Sequence, residues 1–569
     1  MKKHQIGLLI LSLVLAGSCT NSDYLKIAVT TDVHGMIYPI DLIEMKPSDH
    51  SLAHVSSYLR EQREAKDTSL VLLDNGDFLQ GQPTVYYYNT QKADSTHISA
   101  LVMNYMAYDA ATVGNHDIET GPQVYNKIVE EFNFPWLAAN AINVHTNKPG
   151  FKPYTIIKKG GKKIAILGLI TPGIPHWLPK SLWPDLRFED MIETAHKWVP
   201  LIKQKEKPDL IIGLFHSGTD PTYGGKTSTD KFNENATLLV ARQVPGFDII
   251  FAGHDHRLSS QWVKNIVGDS VFVMDPGSHA RYVGEVMVDF TNEKQKNIRG
   301  RIINCNGYEP DPVFMTHFNP QLQEVTEYLS DTVTTLACSM SSRDGLFGPS
   351  SFITLINKVQ LKESGATISF TAPLAFNSTL DSGAVYVSDM FKLYRFENML
   401  YTMKLTGGEI DGFLEHAAGL WFNTMTSNNS SLLKFNPDSR MNLQNPYYNF
   451  SSAAGIDYSI DLQKPDGDKV TIHQKSDGSQ FSVEDTFLVA INSYRGNGGG
   501  GHLTSGSGIP AIELPGRIVN ATQIDLRFHL MQYLGEQDVY QPDTFFNWKL
   551  VPEEWWVSGE KLDRMKLFN

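Results

Sequence analysis

The sequence predicts an α/β protein of two successive domains. Three observations carry that expectation. Short apolar, β-rich runs alternate with helical stretches from residue 25 to about 310. Continuous runs such as Ile164-Ala165-Ile166-Leu167-Gly168-Leu169 suit strands buried on both faces. A chain of 569 residues also exceeds what one ordinary hydrophobic core serves.

The elements follow in order. Lys2 and Lys3 precede an apolar run over residues 6–16 and then Gly17-Ser18-Cys19. The run is too short for a permanent membrane span and fits a secretory signal, so residues 1–18 are read as a signal peptide of lipoprotein type. Leu15-Ala16-Gly17-Ser18-Cys19 resembles a bacterial lipobox, with the Leu one place earlier than in the usual pattern. Processing there leaves a lipid on Cys19 and tethers the mature chain to a membrane. The expected location is the bacterial cell envelope, lipid-anchored or periplasmic, with the outer membrane as one destination. No later segment reaches the length of a transmembrane helix.

Strands are expected at residues 25–30, 70–73, 155–157, 164–169, 210–214, 249–251 and 271–274, with helices over 53–66 and 191–204. These belong to a catalytic domain over residues 24–315. Residues 319–339 place Leu322, Val325 and Leu329 at helical spacing. The stretch Ser341-Ser342-Arg343-Asp344-Gly345 is rich in breakers. Residues 316–345 are therefore read as a linker helix and hinge. A second α/β domain occupies 346–569, with a strand pair around 400–405, a helix over 408–418 and a glycine-rich loop at 496–501. The polar stretch 423–445 reads as a surface insertion.

Composition bounds the partners. With 41% hydrophobic and 20% charged residues the chain is globular. A net charge of -13 argues against a nucleic acid polymer, whose binding leans on basic patches. A small anionic substrate fits, because bound cations meet its charge locally. Downstream of the leader only Cys305 and Cys338 remain, which makes no disulfide framework. A monomer is the expected state.

Five short runs each end in a potential metal ligand just past an apolar strand. They are Asp32-Val33-His34-Gly35, Gly76-Asp77, Gly114-Asn115-His116-Asp117, His216, and Gly253-His254-Asp255-His256. In open α/β sheets, sites gather beyond the carboxyl ends of strands, so distant runs can meet. Residues two apart in extended backbone point the same way, which lets Asp32 with His34, and His254 with His256, each reach one pocket. Mixed imidazole and carboxylate ligation suits Zn, Mn, Fe or Co, and two such ions hydrolyse phosphate esters with a hydroxide held between them. One such triplet alone, or His216 alone, reads more simply as a packed or surface residue. Five in this order, each after a strand, do not.

The longer contexts, Thr31-Asp32-Val33-His34-Gly35, Asp74-Asn75-Gly76-Asp77-Phe78-Leu79-Gln80-Gly81 and Val113-Gly114-Asn115-His116-Asp117, resemble the 5'-nucleotidase / 2',3'-cyclic-nucleotide 2'-phosphodiesterase family. That resemblance implies an N-terminal calcineurin-like α/β/β/α sandwich joined to a C-terminal α/β domain of 5'-nucleotidase type. It implies that Asp32, His34, Asp77 and His256 hold one metal, and Asp77, Asn115, His216 and His254 the other. His116 then stabilises the transition state or protonates the leaving oxygen, oriented by Asp117 or Glu119.

The resemblance extends over nearly the whole mature chain. In that family the C-terminal domain holds the nucleobase between two aromatic rings. Tyr494 matches one, and Tyr448 or Phe450 the other. Arg495 follows Tyr494, before the glycines. The nucleotidase branch carries a Gly-Gly-x-Arg segment, but the matching stretch Ala372–Ser378, with Asn377 as its polar candidate, lacks both glycines and Arg. The glycine loop also lacks an Asp for the ribose hydroxyls. Rotation of the domains about the joint at 341–345 is implied as well. The leading expectation is an envelope phosphohydrolase acting on 5'- or 3'-nucleoside monophosphates or 2',3'-cyclic nucleotides. The alternatives are the same metal chemistry on a nucleotide sugar or sugar phosphate, and a non-catalytic surface-binding lipoprotein.

Overall fold

The computed structural model describes residues 23–65, 69–223, 226–292, 296–437 and 439–568. Residues 1–18, read above as a signal peptide, and Cys19 lie outside the described residues.

The first half folds as two six-stranded sheets packed face to face. One runs in the order Asn297–Asn304, Tyr282–Asp289, Tyr24–Thr30, Ser69–Asp74, Ala110–Thr112, Trp136–Leu137. The other runs Leu258–Lys264, Ser270–Pro276, Ile249–Phe251, Leu210–His216, Lys162–Ile170, Tyr154–Lys159. The central strands are parallel, and antiparallel strands close both edges of the second sheet and one edge of the first, where Trp136–Leu137 pairs parallel at the other. Side-chain alternation builds the layers. Ile27 and Val29 meet Ile164, Ile212 and Phe251 between the sheets. Ala28 and Leu72 face outward onto Leu52, Val55 and Val102 of helices. On the far side Ala165 and Phe215 pack under Ala195, Val199 and Ile202 of the helix Met191–Glu206. The result is the expected α/β/β/α sandwich.

The connection between halves departs from expectation. The helix spans Pro312–Leu329, capped by Asp311, whose side chain accepts from the Val313 N–H. It ends there because Thr-Val-Thr-Thr-Leu, a β-branched run, pairs as the strand Thr332–Leu336 with Gly383–Tyr386. Phe314, Phe318 and Val325 sink into the core of the first half. The segment 341–345 is fastened to the second half. Ser342 N donates to Ser378 O, Ser378 N donates to Ser342 Oγ, and Arg564 pairs with Asp344. It is therefore not a free joint.

The second half centres on a five-stranded sheet ordered Ser452–Ala454, Ile368–Thr371, Thr486–Asn492, Met399–Thr406, Ile518–Asp525. The expected strand pair near 400–405 is one long strand paired on both edges. Helix Ser351–Ser364 covers one face and helix Gly407–Trp421 the other. The polar stretch at 423–445 is not merely a surface insertion, since Met425, Leu432 and Leu433 are buried in the core. Among the described residues no helix is long and apolar enough to cross a membrane.

Candidate metal centre

All five predicted runs emerge at the carboxyl ends of the central strands and converge. Their ligand atoms form two groups, Asp32 with His34 and His256, and Asp77 with His216 and His254. Within the first, His34 Nε2 lies 3.1 Å from His256 Nε2, which is 3.3 Å from Asp32 Oδ1. Within the second, His216 Nε2 is 3.0 Å from Asp77 Oδ2. Asn115 Oδ1 completes that group, 3.1 Å from His216 Nε2 and 2.8 Å from His254 Nδ1.

The backbone reason differs from the extended-strand argument. Asp32, His34, Asp77, His254 and His256 all adopt positive φ, between 49° and 77°. Such conformations are costly for non-glycine residues and gather at functional sites. Tight left-handed turns, not pleated strands, aim these side chains. The spacing argument is also corrected for one pair, since His254 and His256 face different groups. Glycines let the turns close on one another. A Cβ on Gly114 would sit 2.1 Å from Asp77 Oδ1, and one on Gly253 would sit 2.3 Å from Thr31 Oγ1.

Hydrogen bonds set the tautomers. His34 Nδ1 donates to Gln80 O at 2.9 Å, and His216 Nδ1 donates to Asn75 O at 2.7 Å. Each turns its Nε2 toward its group, and a backbone carbonyl on the other nitrogen is the kind of partner that orients metal-ligating histidines. Burial opposes the charge on Asp32, yet His216 and His256 hold its carboxyl down at about 2. Asp77 is likewise held well below the usual carboxylate range by His216 and His116 despite burial. Burial pushes His34 down to about 3 and His254 to about 4. Against burial, Asp77 and Asp32 raise His216 to about 10. Carboxylates held anionic, and the imidazoles of His34 and His254 held neutral, fit divalent cations such as Zn, Mn, Fe or Co, and a cation entering beside Asp77 would displace the proton from His216.

His116 lies on the short helix Asn115–Glu119 beside both groups, its ring 5.4 Å from that of His34. Its two acidic neighbours point in different directions. Glu119 Oε2 receives His116 Nδ1–H at 2.5 Å. Asp117 is turned away. Its Oδ2 accepts from the N–H groups of Asp77 and Gly114, and its Oδ1 from those of Phe78 and Leu79. It stitches two ligand loops together. Burial opposes charge on His116, but Asp77 and Glu119 raise it to about 9.

The second-domain candidates divide. Tyr448 and Tyr494 do meet, with ring centroids 6.4 Å apart, but the planes are at 87°. A base sandwiched between two rings needs them parallel. Phe450 is not available as a platform, being fully buried and stacked on Trp421 at 5.1 Å. Arg495 is 3% exposed and braces the glycine loop, donating to Gly499 O and Tyr448 O. Asn377 is exposed, and its Oδ1 accepts from Arg343 Nε at 2.5 Å. Arg343 thus stands against the stretch that lacks its own arginine, a placement that needed the tertiary fold to see. Sequence reasoning also missed Trp177, whose indole lies 5.3 Å from the His254 ring, and His279, whose ring lies 5.2 Å from that of His34. Neither sits in a recognisable run.

Known proteins resemble this chain in sequence and in fold. A profile described as calcineurin-like phosphoesterase matches residues 25–258. A second, described as 5'-nucleotidase, C-terminal domain, matches residues 330–505. The chain is 27% identical to the trifunctional nucleotide phosphoesterase protein YfkN of Bacillus subtilis, over 95% of this chain but 39% of that protein. It is 26% identical to a 2',3'-cyclic-nucleotide 2'-phosphodiesterase/3'-nucleotidase of Haemophilus influenzae, over 95% of this chain and 89% of the other. In fold it is similar to a 5'-nucleotidase precursor from Thermus thermophilus, with a TM-score of 0.62, 21% identity, and coverage of 93% and 100% of the two chains. The chain therefore belongs to the calcineurin-like phosphoesterases that carry a 5'-nucleotidase C-terminal domain, a family of phosphoester hydrolases.

Proposed function

We propose that this chain is a two-metal phosphohydrolase of the cell envelope acting on nucleotides, either nucleoside monophosphates or 2',3'-cyclic nucleotides. The observation that carries the reading is the pair of ligand groups with the His116–Glu119 pair at their side. Asp32, His34 and His256 would hold one cation, and Asp77, Asn115, His216 and His254 the other. Two divalent cations supply Lewis acidity and a water nucleophile at neutral pH. His116 acts on the leaving oxygen. With Nδ1 committed to Glu119, its Nε2 is the atom that holds and hands over the proton. Asp117 acts indirectly, by holding the loops of Asp77 and Asn115 in register. Tyr494 and Tyr448 offer the base a face and an edge, and one ring turns to form a sandwich. The envelope location rests on the leader sequence and the lipobox-like Cys19. Domain movement, where it occurs, pivots after the helix Pro312–Leu329, because 341–345 is pinned into the second half.

The test is a hydrolysis panel with Mn or Zn over 5'-, 3'- and 2',3'-cyclic nucleotides, nucleotide sugars and sugar phosphates. Preference for nucleotides supports the reading. Equal or better turnover of phosphorylated sugars without a base would overturn the substrate assignment.

A further inference from the structure

Of the strands that end at the metal centre, Lys162–Ile170 brings no predicted ligand. Its loop instead carries Trp177, just after the turn Ile174–His176, with Ile174 and Leu178 buried as anchors on either side. The indole is held between two surfaces. One is Gly173, where an added Cβ would lie 2.5 Å from the ring. The other is the imidazole of His254, 5.3 Å away between centroids and tilted by 31°.

His254 differs from the neighbouring histidines. His34 and His216 each have the non-ligating nitrogen fixed by a backbone carbonyl. His254 offers Nδ1 toward Asn115, and among the described residues its Nε2 has no hydrogen-bond partner. Ligating histidines usually need such a partner to fix the ring. Packing is what remains to hold this one, and the indole supplies it.

Trp177 is in turn tied to the other domain. Its carbonyl accepts from Asn497 Nδ2 at 2.9 Å. Asn497 follows Tyr494 and Arg495 at the start of the glycine loop, and Arg495 locks that loop to the backbone of Tyr448. A continuous set of contacts thus joins the tyrosine pair to one metal-ligand histidine.

We propose that Trp177 is a positioning residue for His254, and that Asn497 of the second domain fixes where Trp177 sits. Docking of the glycine loop then completes the group formed by Asp77, His216 and His254. The inference deepens the metal reading above and rests on it.

The test is a calorimetric titration of the metal-stripped full-length chain with Mn²⁺, repeated for Trp177→Ala, Trp177→Phe and Asn497→Ala. Circular dichroism checks the fold of each. Wild type is expected to bind two ions. Trp177→Ala should weaken one site by about 10–100-fold and leave the other unchanged. Trp177→Phe, which keeps an aromatic face, should recover most of that loss. Asn497→Ala touches no ligand, yet should weaken the same site by less than Trp177→Ala does. Unchanged affinities in Trp177→Ala, or equal weakening of both sites, would overturn the positioning role. An unchanged Asn497→Ala would overturn the link between domains. A wild-type chain that binds fewer than two ions removes the metal reading, and the inference with it.

Discussion

The ligand groups and the tyrosine pair are prepared to very different degrees. In the ligand groups, five side chains are aimed by left-handed turns, two imidazoles are fixed by backbone carbonyls, and Asp117 ties the loops with both carboxylate oxygens. In the second domain Tyr448 and Tyr494 stand perpendicular, neither closed on a ring-shaped gap. One region has its geometry fixed before substrate arrives. The other holds its two rings at right angles. On the proposed reading, the first domain carries the reaction and the second carries substrate choice.

The comparison breaks first at the ligands. Asp77→Asn or His216→Ala should remove several kcal/mol of transition-state stabilisation, on the order of 10³-fold in rate, with the fold retained. Steady-state kinetics and circular dichroism check this together. Next comes the proton. His116→Ala should lower kcat by about 10²–10⁴-fold, with little change in metal content. Its two acidic neighbours should separate. Glu119→Gln should lower kcat with melting unchanged, whereas Asp117→Asn strips a charged acceptor from buried N–H groups and should cost about 1–3 kcal/mol of stability. A purely kinetic effect at Asp117 would contradict the assignment.

Smaller effects are expected at the tyrosines. Tyr494→Ala should weaken nucleotides by ~1–3 kcal/mol and barely alter para-nitrophenyl phosphate turnover. Equal losses on both substrates would remove the base-binding role. The smallest effect concerns the metal-stripped protein. His216 is held at about 10 in the fold against an ordinary 6.5. Its folded value is raised, so its contribution to stability is full below about pH 6.5 and is lost as pH climbs toward 10. His34, at about 3, acts in the opposite sense and only below pH 6.5. Denaturant melts of the stripped chain at pH 7, 8 and 9.5 should show falling stability. A rise across that range would contradict the charge arrangement around His216.

Much of this was legible in the sequence, and the exceptions have physical causes. The parallel strands of the sandwich read clearly because burial on both faces leaves unbroken apolar runs such as 164–169. The ligand runs read clearly because each is local and follows a strand. The turn conformations at Asp32 and His254 did not, since no side-chain pattern announces a left-handed aspartate or histidine. The linker helix was read too long because helical spacing at Leu322, Val325 and Leu329 outweighed the β-branched run after Ser330. Leu432 and Leu433 were hidden in a polar stretch. The roles of Glu119, Arg343 and Trp177 depend on contacts between segments far apart in sequence or on side-chain direction, which spacing alone does not give.

The central claim is that two ions held by these groups perform the hydrolysis. The direct measurement is stepwise return of Mn²⁺ to the metal-stripped chain while following both bound metal and hydrolysis of a nucleotide. Activity should be absent without metal, saturate at two ions per chain, and fail to return in His216→Ala. Full activity in the stripped chain, or saturation at a single ion, would contradict it.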